Sequence, residues 1–248
     1  MTEQLELSIV IPCYNEGKRL DVKQISSFLN NQLNVLLCFV DDGSKDNTLE
    51  VLNSLKNNFP TSIEVISTEK NGGKAEAVRT GVLHCNAQFN QKSIAYLDAD
   101  LATSLEECVQ ISHQINSKVL FAFGSRISKI DNKIDRKLYR FFIGRIIATA
   151  ISNQLGITVY DTQCGCKIIK NKLAKKIFQQ KFISKWLFDV ELFHRIIALY
   201  GKEKMAKICR EIPLKKWIDI GESKVQFTYF FKVWIDLFKI GKTYKTNS

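Results

Sequence analysis

Five short, almost continuously apolar runs punctuate the first half of the chain: Leu7 to Cys13, Val35 to Val40, Ile63 to Ser67, Ser93 to Leu97 and Val119 to Phe123. A strand covered on both faces has no polar side, so runs of this kind predict parallel strands inside a sheet flanked by helices. The stretches between them, 20–31, 46–58, 74–88 and 104–116, each present one apolar stripe and predict those helices. The βαβα alternation predicts an α/β fold with a mostly parallel central sheet and helices on both faces. In such sheets ligands bind outside the carboxyl ends of the strands.

Those ends are where the polar residues collect. The first run leads into Pro12-Cys13-Tyr14-Asn15-Glu16, the second into Asp41-Asp42-Gly43-Ser44, the third into Asn71-Gly72-Gly73-Lys74 and the fourth into Asp98-Ala99-Asp100. Two carboxylates at a strand exit can share a divalent cation, because hard oxygen ligands suit Mg²⁺ or Mn²⁺ and leave positions open for phosphate oxygens. The alternative is that the pair ends a strand and caps the helix starting near Ser104. Gly72 and Gly73 permit close backbone approach to a ligand, and Lys74 adds a point charge for phosphate. Tyr14 offers an aromatic face to a base or sugar, and Asp41 can accept a base N–H, although a packed tyrosine and a helix cap explain each residue singly. Neither a P-loop nor a strand leading into G-x-G-x-x-G occurs, which argues against ordinary ATPase and dinucleotide dehydrogenase chemistry.

Lys and Arg outnumber Asp and Glu by 36 to 25, for a net charge of +11, so a phosphate-bearing partner is expected: nucleotide, nucleic acid or anionic membrane. A basic nucleic-acid-binding domain is the non-enzyme alternative. It predicts neither the Asp pair nor the acidic strand exits, which repel a phosphate backbone, so no nucleic-acid partner is expected. The seven cysteines include no C-x-x-C pair and the three histidines are scattered, which favours reduced thiols over zinc or disulfides. The first ten residues lack a secretory pattern, and no apolar run reaches the roughly 18 residues of a spanning helix. A cytoplasmic protein with peripheral membrane contact is therefore expected, made directly or through a membrane-protein partner. Segments 133–156 and 225–241 interleave Lys and Arg with large apolar residues, as helices at a membrane surface do.

The strings SIVIPCYNE (8–16), VDDGSKDNT (40–48), NGGKAEAVRTG (71–81), YLDAD (96–100), GSR (124–126), DTQCGCK (161–167), WLFDVEL (186–192) and WIDIGESKV (217–225) occur in the order seen in family 2 glycosyltransferases of GT-A fold. Within that family the chain most resembles the dolichyl-phosphate β-glucosyltransferases and their bacterial polyprenyl-phosphate relatives, with the dolichyl-phosphate mannosyltransferases next. DADLAT (98–103) is closer to the DADGAT form of the glucosyltransferases than to the DADLQHP form of the mannosyltransferases. Cys166 stands where the family usually has Phe. Neither the N-terminal anchor usual in the eukaryotic glucosyltransferases nor the C-terminal spanning helices of many bacterial relatives is evident.

The resemblance implies an inverting transfer of a hexose, glucose from UDP-glucose foremost, to a polyprenyl or dolichyl phosphate at the cytoplasmic face of a membrane. GDP-mannose as donor, or a glycan hydroxyl as acceptor, are the enzyme alternatives. Pro12, Tyr14, Glu16, Asp41, Asp42, Asn71, Lys74, Asp98 and Ala99 would then line the nucleotide-sugar site, and Asp98 with Asp100 would hold Mg²⁺ or Mn²⁺. Arg126, Arg136 and Lys224 would hold the acceptor phosphate. Asp189 would join Asp98, Asp100 and Arg126 as a catalytic residue, acting as base if the acceptor were a hydroxyl. Residues 1–220 would form the transferase domain, with a nucleotide-binding half (1–125) and an acceptor half (126–220), followed by an amphipathic helix and tail (221–248).

Overall fold

A computed structural model of the protein describes residues 4–135, 138–218 and 228–245. The chain runs through β1 (Leu5–Cys13), α1 (Val22–Asn31), β2 (Val35–Asp41), α2 (Thr48–Asn58), β3 (Ile63–Ser67), α3 (Lys74–Gln88), β4 (Gln91–Leu97), α4 (Leu105–Ser112) and β5 (Phe121–Ser125). It continues through β6 (Lys133–Asp135), α5 (Leu138–Leu155), β7 (Cys166–Lys170), α6 (Asn171–Ile177), α7 (Phe188–Tyr200), α8 (Lys202–Ile208), β8 (Cys209–Pro213), β9 (Lys216–Ile218) and α9 (Thr228–Lys245). The five strands and four helices expected in the first half are present. α4 stops short of 116 because Asn116 folds the chain into a turn, its side-chain oxygen accepting from the N–H groups of Lys118 (2.8 Å) and Val119 (3.0 Å).

Seven strands form the central sheet in the order β3-β2-β1-β4-β7-β5-β8. β1 pairs in parallel with β2 and β4, β2 with β3, and β5 with β8, while β7 runs antiparallel between β4 and β5. The mostly parallel sheet is therefore as expected, but β7 and β8 are additions drawn from the second half. Side chains alternate between the faces. Val10, Val40 and Tyr96 meet the inward faces of α3, α6 and α7, whereas Ile9, Ile11, Phe39 and Leu97 meet α1 and α4.

The segment expected as one helix over 133–156 instead opens with β6, which pairs with β9, before α5 begins at Leu138. Inward residues of α5 (Ile151, Leu155) and α9 (Val233, Leu237, Ile240) join the core beside α7. Outward, α5 exposes Tyr139, Phe142, Ile143 and Ile146, one stripe at helical spacing, and α9 exposes Trp234, Ile235 and Phe238; Phe142 is 63% and Phe238 71% exposed. Among the described residues no helix is long and apolar enough to cross a membrane. All seven cysteines are unpaired and six are buried.

Polar contacts fasten α9 to α7. The Glu191 carboxylate accepts from Arg195 (2.7 Å) and from the Tyr244 hydroxyl (3.0 Å), and His194 stacks on the Tyr244 ring. Burial, with the charge of Lys202 adding to it, draws the His194 pKa from 6.5 down to about 4. Between those values the unfolded chain takes up a proton that the folded chain refuses, so stability falls as pH drops through that window, by roughly 3 kcal/mol in total. Urea unfolding at pH 7 and pH 4.5 is expected to show a markedly smaller pH-dependent loss in His194→Asn than in the wild type.

Candidate functional site

The parallel register sets Cys13 beside Asp41 and Asp41 beside Ser67, so the exits of β1, β2 and β3 emerge along one edge. The first two are laced together. Asn15, held at φ 52°, donates its N–H to Ser44 Oγ (3.0 Å) and accepts from the Lys45 N–H (2.8 Å), and the Glu16 N–H donates to Thr48 Oγ1 (2.8 Å). Pro12 pairs with Val40 just inside this edge, and Tyr14 and Glu16 sit half-buried in the loop, with Glu16 3.5 Å from Arg19.

Asp41 and Asp42 are both buried, with different partners. Asp41 accepts from the Ser44 N–H and the Ser67 hydroxyl, each at 3.3 Å. The two Asp42 oxygens accept from the Gly72 and Gly73 N–H groups, both at 2.8 Å, which pins the glycine loop after Asn71. Gly73 has φ +91°, a region L side chains rarely enter, and from it α3 starts with Lys74 pointed at the β4 exit.

There the Lys74 ammonium lies 2.5 Å from Asp98 Oδ1. Burial opposes the lysine's charge, but Asp98, then Asp189 and Asp100, outweigh it and hold the pKa above the ordinary lysine value. Burial and the Asp98 charge raise the Asp100 pKa. Neither aspartate caps α4: Ser104 does, accepting from the Glu107 N–H at 3.1 Å, while Asp100 Oδ1 accepts from the Ala102 N–H (3.1 Å) in the intervening turn. Ala99 is buried between the two carboxylates. Gly165, at the entrance to β7, leaves the space that Asp98 fills, since a Cβ there would lie 2.0 Å from Asp98 Oδ2. Among the described residues no cluster of three or more His, Cys, Asp or Glu side chains could hold a metal alone. The donor set fits a hard divalent cation held jointly by two carboxylates and the oxygens of a bound diphosphate.

Beneath Lys74 lies an ion pair. Lys167 on β7 is 0% exposed and Asp189 on α7 is 4% exposed. The lysine donates to Asp189 Oδ1 and to the Cys164 carbonyl, both at 2.6 Å, and the Tyr96 hydroxyl donates to the same carboxylate oxygen. Burial, with the Asp189 charge adding to it, pushes the Tyr96 phenol up, so it stays a proton donor. Asp189, expected as a catalytic residue and as base for a hydroxyl acceptor, is thus a buried carboxylate bonded to a lysine and a tyrosine, the environment of a counter-ion.

Arg126 is likewise committed. Its Nε and Nη2 donate to Asp161 at 2.6 and 2.8 Å, its own backbone N–H donates to Asp161 at 3.1 Å, and the guanidinium lies 5.3 Å from the Trp217 ring centre. Burial alone would raise the Asp161 pKa, yet Arg126 holds it well below the usual carboxylate range. The expected role of Arg126 as an acceptor-phosphate cation thus meets a guanidinium whose charge is already compensated. Arg136 and Lys224 lie outside the described residues. Sequence reasoning missed Lys167, Asp161 and Lys185, whose side chain packs over Gly73. The first two lay within DTQCGCK, but their partners stand 22 and 35 residues away along the chain.

The architecture matches solved glycosyltransferases. It superposes with TM-score 0.69 on glucosyl-3-phosphoglycerate synthase from Mycobacterium tuberculosis, solved with Mn²⁺, uridine diphosphate and phosphoglyceric acid, at 16% identity over 96% of this chain and 78% of that one. Mannosyl-3-phosphoglycerate synthase from Rubrobacter xylanophilus gives TM-score 0.68 at 13% identity over 96% of this chain and 73% of that one. The fold is that of the GT-A class of glycosyltransferases. The model described as glycosyl transferase family 2 matches residues 8–178. The chain belongs to glycosyl transferase family 2 and is a glycosyltransferase. Among its relatives, a dolichyl-phosphate beta-glucosyltransferase of Trichomonas vaginalis is 31% identical over 94% of this chain and 70% of its own length. The human dolichyl-phosphate beta-glucosyltransferase is 28% identical over 98% of this chain and 80% of its own.

Proposed function

We propose that this enzyme transfers glucose, with inversion, from UDP-glucose to the phosphate of a dolichyl or related polyprenyl phosphate at the cytoplasmic face of a membrane, using Mg²⁺ or Mn²⁺. The observation that carries the reading is the Lys74, Asp98 and Asp100 constellation at the common strand edge, with Gly165 making room for the Asp98 carboxylate. The names of the relatives supply the donor sugar and the lipid acceptor.

Tyr14 and Asp41 lie where the nucleoside would be received, and Asp42 keeps the Gly72 and Gly73 amides in place beneath the phosphates. Asp98 and Asp100 would hold the metal, which when bound supplies positive charge to the diphosphate as it leaves. Lys74, kept cationic by the surrounding aspartates, adds a second charge for the same leaving group. The acceptor phosphate is already anionic near neutral pH, with a second pKa of about 6, so no general base is needed. The engagement of Asp189 by Lys167 and Tyr96 is in keeping with that chemistry. The exposed apolar stripes of α5 and α9, with exposed Lys232 and Lys239 beside the latter, suit helices resting on an anionic bilayer.

Incubation with labelled UDP-glucose and vesicles containing polyprenyl phosphate is expected to move label into the lipid phase. EDTA should stop the transfer, Mg²⁺ or Mn²⁺ should restore it, and the enzyme should float with anionic vesicles. Label recovered only in a water-soluble glycan would defeat the lipid-acceptor reading.

A further inference from the structure

The acceptor phosphate needs cations near the reacting end of the donor; of the three expected to supply them, Arg126 is paired with Asp161, and Arg136 and Lys224 lie outside the described residues. The loop between α6 and α7 presents another. The Lys185 carbonyl accepts from the Ala75 N–H at 3.1 Å, one residue beyond Lys74. The Lys185 stem lies against Gly73, where a Cβ would approach its carbons to 3.0–3.3 Å. Its side chain is exposed and, among the described residues, has no ion-pair partner, unlike Lys74, Arg126 and Lys167.

Exposed Ile183 and Trp186 stand on either side of the Ser184-Lys185 pair. Ser184 fixes this turn: its hydroxyl accepts from the Trp186 and Leu187 N–H groups (3.3 and 2.9 Å) and donates to Asp236 on α9 at 2.6 Å. Asp236 lies on α9, so the loop is tethered to that helix. Resting on the proposed lipid-acceptor activity, we infer that the Ile183–Trp186 loop is the acceptor platform: Lys185 binds the acceptor phosphate, and Ile183 and Trp186 take its first isoprenoid units.

A cation bracketed by large apolar side chains complements an amphiphilic anion, whereas a nucleotide sugar has no apolar tail to match them. The loop also reaches Gly73 and Ala75, the two neighbours of Lys74, from the second half of the chain. The residues expected at the nucleoside lie on β2 (Asp41) and just beyond β1 (Tyr14), in the first half.

Steady-state kinetics of the full chain test the assignment. Lys185→Met keeps the stem over Gly73 and removes the charge. It is expected to raise KM for polyprenyl phosphate about tenfold and to leave KM for UDP-glucose within about twofold, with Lys185→Arg restoring the wild-type acceptor KM. Trp186→Ala should weaken a long-chain acceptor more than a two-isoprene phosphate. An unchanged acceptor KM in Lys185→Met, or a loss falling equally on UDP-glucose, overturns the platform while leaving the activity standing. Wild-type enzyme that transfers no glucose to polyprenyl phosphate overturns both.

Discussion

Asp98→Asn is expected to lower kcat/KM for the nucleotide sugar by roughly 10²- to 10³-fold, because losing a carboxylate that holds a divalent cation removes several kcal/mol of charge stabilisation from the leaving diphosphate. The fold should survive. Asp98 has a side chain 39% exposed, and its partner Lys74 keeps Asp189 and Asp100 as neighbouring negative charges. Melting temperature should therefore stay within about 2 °C of wild type. Calorimetric titration with UDP, with and without Mn²⁺, locates the defect: the metal should strengthen UDP binding to wild type and have little effect on the variant. Asp100→Asn should behave alike, and undiminished turnover in both variants would remove the carboxylate pair from the site.

The second large effect falls on stability. Lys167→Met removes the ion-pair partner in hydrogen-bond contact with the buried Asp189 carboxylate, leaving it the Tyr96 hydroxyl and the nearby Lys74 charge, and breaking a buried ion pair from one side costs about 3–5 kcal/mol. Urea unfolding measures this directly. Lys167→Met combined with Asp189→Asn removes both charges and should recover a large part of the loss, so the double-mutant cycle reports a strong coupling between the two positions. A single Lys167→Met variant as stable as wild type would mean that the pair contributes nothing to holding β7 against α7.

What the sequence disclosed and what it hid follow from the range of the interactions concerned. The strands of the first half announced themselves because each is apolar throughout and ends in Gly, Asn, Asp or Pro, which are local signals. That the residues expected on the donor side gather at one edge was legible for the same reason: each stands within a few positions of a strand end, and parallel pairing brings those ends together without further information. β7 was hidden because its sequence, CKIIK, carries lysine at a position 0% exposed to solvent. A buried lysine reads as a surface residue until its carboxylate partner is known, and that partner lies on another element. Arg126 shows the same limit. Its charge suggested an open phosphate contact, and only the folded chain shows Asp161 taking the edge formed by its Nε and Nη2. The apolar outer faces of α5 and α9 were legible as amphipathic segments, but α5 lost its first residues to β6, a three-residue strand too short to leave a periodic trace.

β7 also governs the order in which this molecule can be completed. Among the described residues β5 bonds to β7 and β8, both of which are encoded downstream of it. A nascent chain that has reached Ser125 can join β1, β2, β3 and β4 in parallel, but has nothing to which β5 can be zipped. Until translation has passed Lys170 and β7 is made, β4 presents an open row of amide and carbonyl groups, and the chain must run on past Pro213 before β8 completes the far edge of the sheet. The surroundings of the Lys74, Asp98 and Asp100 cluster share this delay, because Gly165, which leaves room for Asp98, and Lys167 arrive with the strand that seals the gap. Severing the polypeptide between its two halves would thus yield an N-terminal fragment with a raw sheet margin, its carboxylates without the neighbours that enclose them.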